Sequence, residues 1–135
     1  MVDYNMNMKN TIQRNLIEHK EVFDQLYSLE KQIGDIAELL IEALKNGNTI
    51  FWCGNGGSAS DSQHLAGELI GRFKKNRKPL KSISLNSDTA VMTCIVNDYG
   101  YEHIFSRQIE ALGEEGDVLI GISTSGRSEN VNNAL

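Results

Sequence analysis

The sequence predicts an α/β domain in which a parallel sheet lies between two layers of helices, with a helical arm at the N-terminus. Two observations predict this three-layer fold. Short apolar runs at 49–53 and 117–122 are typical of strands that are buried on both faces of a parallel sheet. Segments with helical periodicity separate the runs, and such an alternation favours a parallel sheet with right-handed crossovers.

The predicted arm comprises residues 1–46, and the predicted ligand-binding domain comprises residues 47–135. Apolar residues recur at helical spacing along the arm, which contains no proline. We expect Gly34 to separate two helices, because glycine weakens a helix interior. The second helix is expected to end at Asn46-Gly47-Asn48, where glycine suits the C-terminal cap.

The predicted domain continues as alternating strands and helices. Ser87-Asp88 can cap a helix through Ile95, because these side chains accept hydrogen bonds from the free N–H groups of a first turn. Asn97 to Gly100 is expected to break that helix. The remaining elements are predicted as strands at 49–53, 80–85 and 117–122, and as helices at about 58–73, at 101–112 and from Glu129 onward.

The last predicted strand, Val118–Ile122, has little sequence after it to cover it. Only about two helical turns follow before Leu135, and an apolar edge strand is exposed to unwanted pairing. We therefore expect the C-terminal part of the domain to be missing from this sequence. The alternative is an oligomer that covers the edge.

Composition excludes several classes of protein. The chain has 135 residues, of which 40% are hydrophobic and 23% charged, which suits one globular domain with a core. The net charge of −5 gives no general reason to expect a nucleic acid or an anionic membrane as a partner. No segment has the roughly 18 apolar residues that span a membrane, and residues 1–10 do not form a secretory signal. We expect a cytoplasmic protein in which Cys53 and Cys94 are buried, reduced thiols.

A basic segment interrupts this acidic chain. Residues 72–81 contain six Lys or Arg residues among ten, and Pro79 marks the segment as a loop. A charge run of this kind is typical of solvated surface, and we interpret it in that way.

Two loops at the ends of predicted strands have the composition of ligand-binding loops. Gly54-Asn55-Gly56-Gly57-Ser58 follows the first strand, and Ser123-Thr124-Ser125-Gly126-Arg127-Ser128 follows the third. Ligands of open parallel sheets bind at the carboxyl ends of strands, and free N–H groups at a helix start favour anions. The Ser/Thr-rich loop suits a phosphate, and the Gly-rich loop suits sugar hydroxyls. The alternative is that each loop is an ordinary capped helix start.

Two further pairs of polar residues are candidates for the site. His64 and Glu68 are four residues apart and so share one face of a predicted helix. They could form an acid–base pair or a metal pair in the cleft above the sheet, or only a surface hydrogen bond. Asn97 and Asp98 could bind sugar hydroxyls, or could be the turn residues of a helix end.

Taken together, these motifs resemble those of a known family. The stretches GNGGSASDSQHLAGELIGRF and NDYGYEHIFSRQIEALGEEGDVLIGISTSGRSENV are similar to the phosphoheptose isomerases of the sugar isomerase (SIS) domain group. The resemblance covers residues 39–135. It implies a flavodoxin-like parallel sheet, a helical arm used for assembly into a homotetramer, and interconversion of sedoheptulose 7-phosphate and a mannoheptose 7-phosphate for bacterial surface polysaccharide.

The resemblance also implies roles for individual residues. Glu68 would be the catalytic carboxylate, and His64 and Glu68 would be two ligands of the zinc found in some members. The implied substrate-binding residues are Asn55, Gly56, Gly57, Glu68, Asn97, Asp98, Ser123, Thr124, Ser125 and Ser128.

One departure from the family bears on activity. The family's second catalytic group, a histidine, and a nearby glutamine lie on a helix beyond residue 135. If the molecule ended at Leu135, little isomerase activity would be expected. The alternatives are a non-catalytic SIS protein that binds a replication initiator, which the basic loop could serve, and a module that senses sugar phosphates.

Overall fold

The computed structural model describes the backbone of residues 4–135 and the side chains from Met8 onward. The helices are α1 (Tyr4–Gln25), α2 (Glu30–Lys45), α3 (Gly57–Ile70), α4 (Thr89–Tyr99), α5 (Ser106–Leu112) and α6 (Glu129–Asn132). The strands are β1 (Ile50–Gly54), β2 (Ser82–Ser84) and β3 (Val118–Ile122). Short 3-10 turns lie at Leu26–Leu29 and Tyr101–His103. No helix among these described residues is long and apolar enough to cross a membrane.

The chain divides into two compact units, Met1–Glu38 and Leu39–Leu135. In the first unit every described side chain is exposed. The expected helix break at Gly34 is wrong, because the interruption is the 3-10 turn at Leu26–Leu29 and Gly34 lies inside α2. A single glycine costs a helix only about 1 kcal/mol relative to alanine, which the flanking residues offset.

The second unit is built on a parallel sheet with the strand order β2-β1-β3. Ile50 is level with Ser82 on one side and with Val118 on the other. The central strand is buried along its whole length, as its apolar sequence predicted. The parallel three-layer prediction is therefore confirmed.

Alternate side chains of β1 point into two cores, one on each face of the sheet. Phe51 and Cys53 pack with Phe105 and Val131 on one face. On the other face, Ile50, Trp52 and Ala66 form the cluster, with Leu40, Leu44, Leu69, Ile120 and Ile122 packed around it. Because β1 contributes to both cores, it fixes the position of the Gly-rich loop that follows its carboxyl end.

Only one of the two cysteines is buried. Cys53 is completely buried, and burial raises the pKa of its thiol to about 11. Cys94 is exposed on α4, so the prediction that it packs inside is wrong. An apolar neighbourhood in sequence does not reveal which face of a helix a residue occupies.

Asp117 joins the starts of β1 and β3. Its carboxylate accepts hydrogen bonds from the backbone N–H of Thr49 at 2.6 Å and from that of Glu114 at 3.0 Å. Desolvation raises the pKa of Asp117, but these bonds, Asn48 and the charge of Lys81 outweigh it, and the net pKa is lowered. The ionised carboxylate is therefore the form that stabilises this end of the sheet.

We expect Asp117→Asn to lower the free energy of unfolding by about 1 kcal/mol at neutral pH, because the amide replaces one charged acceptor with a donor. Since the pKa is lowered in the folded state, the stabilisation is complete above the unfolded value near 4. It is lost as the pH falls through the lower folded value. Urea unfolding between pH 7 and pH 2 measures both effects. Glu115→Gln, at an exposed neighbour, is the control, and equal stability of the two variants at pH 7 would contradict the assignment.

Candidate functional site

The Gly-rich loop leaves the carboxyl end of β1 and turns at once into α3. Gly56 has a φ of +57°, which favours glycine, and α3 begins at Gly57. A Cβ on Gly54 would lie 2.8 Å from backbone atoms of Ser58. The end of β1 and the start of α3 are therefore so close that position 54 has no room for a side chain.

A buried amide, Asn86, holds this loop in place. Its Oδ1 accepts from the N–H of Gly54 at 3.2 Å, and its Nδ2 donates to the carbonyl of Gly54 at 2.9 Å. Ser62 Oγ, on α3, lies 2.9 Å from Asn86 Oδ1. Asn86 thus links the ends of β1 and β2 to α3. It was not among the predicted site residues, since nothing in its local sequence marks it.

The Ser/Thr-rich loop follows β3 and is organised by its own hydroxyl groups. Ser123 Oγ and Ser128 Oγ lie 2.9 Å apart, and Ser123 Oγ accepts from the N–H of Gly126 at 3.1 Å. Ser125 Oγ accepts from the N–H of Arg127 at 3.1 Å. Thr124 and Ser125 are exposed. Hydroxyl and N–H groups at this density can bind an oxyanion in place of their internal partners.

The structure brings the two predicted loops together. Asn55 and Asn130 form a reciprocal amide pair, with both N···O distances at 2.8 Å. Tyr101 donates from its hydroxyl to Asn55 Oδ1 at 2.8 Å. Because the Asn55 oxygen accepts two internal bonds, this residue contacts a ligand best through its remaining N–H and its backbone.

His64 and Glu68 lie on α3 as predicted and contact each other. His64 Nε2 is 3.5 Å from Glu68 Oε1, and the two side chains are 74% and 31% exposed. Glu68 Oε2 is buried and has no hydrogen-bond partner among the described residues. A buried carboxylate oxygen of this kind is costly unless a donor or a cation meets it.

Within one copy of the chain, Glu68 does not lie beside the two loops. It is eleven residues beyond Gly57, which corresponds to about 16 Å along a helix. Leu69, its neighbour, accepts a backbone hydrogen bond at 3.1 Å from Leu80, just before β2, so this end of α3 lies at the amino edge of the sheet. Within the described residues, the Glu68 carboxylate contacts His64 and forms no hydrogen bond with either loop.

The pair of His64 and Glu68 does not complete a metal site. No group of three or more His, Cys, Asp or Glu side chains within the described part of the chain could hold a metal ion. Zinc sites in proteins use three or four protein ligands. The described residues therefore supply at most two ligands.

Asn97 and Asp98 lie in the last turn of α4 and are exposed. The helix ends within the predicted stretch 97–100, but the residue that ends it is Gly100, with a φ of +100°, and not Asn97 or Asp98, because α4 runs through Tyr99. Asp88 caps the start of this helix as expected, accepting from two N–H groups at 3.0 Å. The role of Asn97 and Asp98 in sugar binding stays a prediction.

Residues 16–135 match the sequence profile of the SIS domain. The chain belongs to the SIS domain family. It is 54% identical over 128 residues to phosphoheptose isomerase 1 of Campylobacter jejuni and 56% identical over 121 residues to phosphoheptose isomerase of Helicobacter pylori. These alignments cover 95% and 89% of the chain. The chain also resembles the solved phosphoheptose isomerase of Neisseria gonorrhoeae, with a TM-score of 0.86 and 40% identity over 94% of the chain.

The chain spans about two thirds of the length of these relatives. The covered share is 69% of the Campylobacter protein, 63% of the Helicobacter protein and 66% of the Neisseria structure. The relatives are named as isomerases, so neither alternative, an initiator-binding SIS protein or a sugar-phosphate sensor, is favoured.

Proposed function

We propose that the protein is an aldose–ketose isomerase that converts sedoheptulose 7-phosphate to glycero-manno-heptose 7-phosphate for bacterial heptose biosynthesis. The observation that carries the proposal is the joined pair of loops at the carboxyl ends of β1 and β3, linked by Asn55 and Asn130. One loop presents hydroxyls for the phosphate, and the other presents backbone N–H groups for the sugar. The names of the similar proteins support the same activity.

The proposed reaction moves a proton between adjacent carbons. The Glu68 carboxylate takes a proton from C1 of the ketose, the electrons of the C–H bond form an enediol, and Glu68 returns a proton to C2 while the hydroxyl proton moves from O1 to O2. A positioned carboxylate acting in this way contributes about 10² to 10⁴ in rate. The phosphate, bound by Ser123, Thr124, Ser125 and Ser128, holds the reacting carbons in place.

We include self-association in the proposal, as a homotetramer. The support is the direction of α3, which begins at the Gly-rich loop and reaches the segment before β2 at Leu69, so a neighbouring copy would place the Glu68 carboxylate against the bound sugar. The N-terminal helices provide apolar surface for assembly, since Leu16, Ile17 and Phe23 are 65%, 59% and 56% exposed. Analytical ultracentrifugation tests this part, and a monomer that remains fully active would contradict it.

Zinc bound by His64 and Glu68 is also part of the proposal, with further ligands from outside the described residues. Elemental analysis of protein purified without chelators tests it, with loss of zinc expected for His64→Ala. A cytoplasmic location is proposed too, supported by the free thiols of Cys53 and Cys94, which suit a reducing compartment.

The test of the activity is direct. Purified full-length protein is incubated with sedoheptulose 7-phosphate in D2O, and the products are followed by NMR. We expect an aldose phosphate that carries deuterium at C2, because the transferred proton exchanges with solvent. Absence of conversion, with the sugar phosphate bound in calorimetry, would favour the sensing module instead.

A further inference from the structure

Arg77 lies in the basic segment 72–81, whose composition predicts solvated surface, but its side chain is less exposed than the other cations there. It is half-buried, whereas the other five basic residues, Arg72, Lys74, Lys75, Lys78 and Lys81, are exposed. Its guanidinium turns back onto the C-terminal end of α3. The general interpretation of the segment therefore holds for five of its cations and fails for this one.

The guanidinium bonds to the carbonyl groups that end α3. Nη2 donates to the carbonyl of Glu68 at 2.7 Å, and Nη1 donates to that of Leu69 at 2.7 Å. Nη1 also lies within hydrogen-bond distance of the carbonyls of Gly71, at 3.4 Å, and Lys78, at 3.1 Å. The last carbonyls of a helix have no partner inside it, so Arg77 supplies hydrogen-bond donors to carbonyls at the end of α3.

We propose that Arg77 is a positioning residue for Glu68, an inference that rests on the proposed isomerase function. One of its two shortest bonds goes to the backbone of the catalytic carboxylate itself, and the other to the next residue. A planar guanidinium with a fixed fork of donors restrains the direction of the carbonyls that it holds. Holding the last turn of α3 fixes the backbone from which the Glu68 side chain extends.

The test compares Arg77→Gln with Arg77→Lys and with Lys75→Gln, which removes a charge from an exposed position of the same loop. A displacement of about 1 Å in a reacting group costs about 10²-fold in rate. We expect kcat of Arg77→Gln to fall between tenfold and a hundredfold, with KM within twofold of wild type, because the phosphate loop lies on another element. Arg77→Lys should fall less, and Lys75→Gln should match wild type. A kcat within twofold of wild type in folded Arg77→Gln would overturn the inference.

Chemical rescue tests whether the guanidinium group itself is what the end of α3 requires, and the fall in kcat at constant KM distinguishes positioning from a structural role alone. Guanidinium ion at a concentration that does not denature the protein should restore part of the kcat of Arg77→Ala, whereas methylammonium should not. If Arg77→Gln fails to fold, Arg77→Lys decides the matter, since it keeps the charge but loses the fork, and an unchanged kcat in that variant would overturn the inference.

Amide hydrogen exchange separates failure of this inference from failure of the proposed function. Exchange at residues 67–71 should rise about tenfold in Arg77→Gln and remain unchanged in Lys75→Gln. If the wild-type protein is inactive but exchange rises in Arg77→Gln, the proposed isomerase function is contradicted. The stabilisation of the end of α3 by Arg77 is then still supported. Active wild-type protein with unchanged exchange and unchanged kcat in that variant contradicts the role of Arg77.

Discussion

Replacing Glu68 with glutamine is expected to reduce kcat for heptose phosphate isomerisation by about 10² to 10⁴, the range for loss of a positioned acid–base group. The glutamine side chain keeps the shape of the glutamate and its contact with His64 but cannot carry the proton between C1 and C2. KM should change little, because the phosphate is held elsewhere. Steady-state kinetics on purified protein measure the effect.

Glu110→Gln is the matched control for this substitution, since Glu110 is exposed on α5 and outside the proposed site. Unchanged turnover in Glu68→Gln would remove the carboxylate from its role.

The same variant tests whether two copies of the chain share one site. Mixing Glu68→Gln with an inactive phosphate-loop variant, Ser125→Asp, and allowing subunits to exchange should restore part of the activity, because some sites then combine two intact halves.

A methyl group added at Gly54 is expected to have the second large effect. The added Cβ of Gly54→Ala would lie 2.8 Å from the backbone carbon, backbone oxygen and Cβ of Ser58. These are not the far ends of flexible side chains, so β1 and α3 must separate. Overpacking of this kind costs about 1–3 kcal/mol, and a shift of about 1 Å at the loop costs about 10²-fold in kcat/KM.

Thermal unfolding and steady-state kinetics measure these two losses. Gly67→Ala is the stability control, because a Cβ at Gly67 meets nothing within 4 Å and alanine favours the helix. The interpretation of the loop fails if Gly54→Ala is as stable and as active as wild type.

Features that local sequence chemistry determines were predicted well. The apolar run around Phe51 identified the central strand, and Asp88 identified the start of α4, because burial of a strand and capping of a helix depend on neighbouring residues. The two loops were found for the same reason. Their proximity followed from the rule that parallel strands place their carboxyl ends at one edge.

Features that depend on distant contacts were not predictable in this way. Asn86 forms hydrogen bonds with the backbone of Gly54, which is distant in sequence. Arg77 forms a hydrogen bond with the backbone of Glu68 in the preceding helix. Neither residue lies in a recognisable motif. Helical periodicity also could not show that Cys94 faces solvent. The separation of Glu68 from the two loops could not be predicted without the direction in which α3 runs from Gly57.

The difference in exposure between the two thiols allows one of them to be labelled selectively. Cys53 is enclosed and stays protonated at neutral pH, since its pKa is about 11, and thiols in that state react slowly with electrophiles. Cys94 is open to solvent, with its Sγ 3.7 Å from a carboxylate oxygen of Asp98. A maleimide dye added to the native protein will therefore attach at Cys94 in preference to Cys53. Its fluorescence offers a test of the predicted sugar contacts of Asn97 and Asp98 without any engineered mutation, and an unchanged signal on addition of substrate would argue against them.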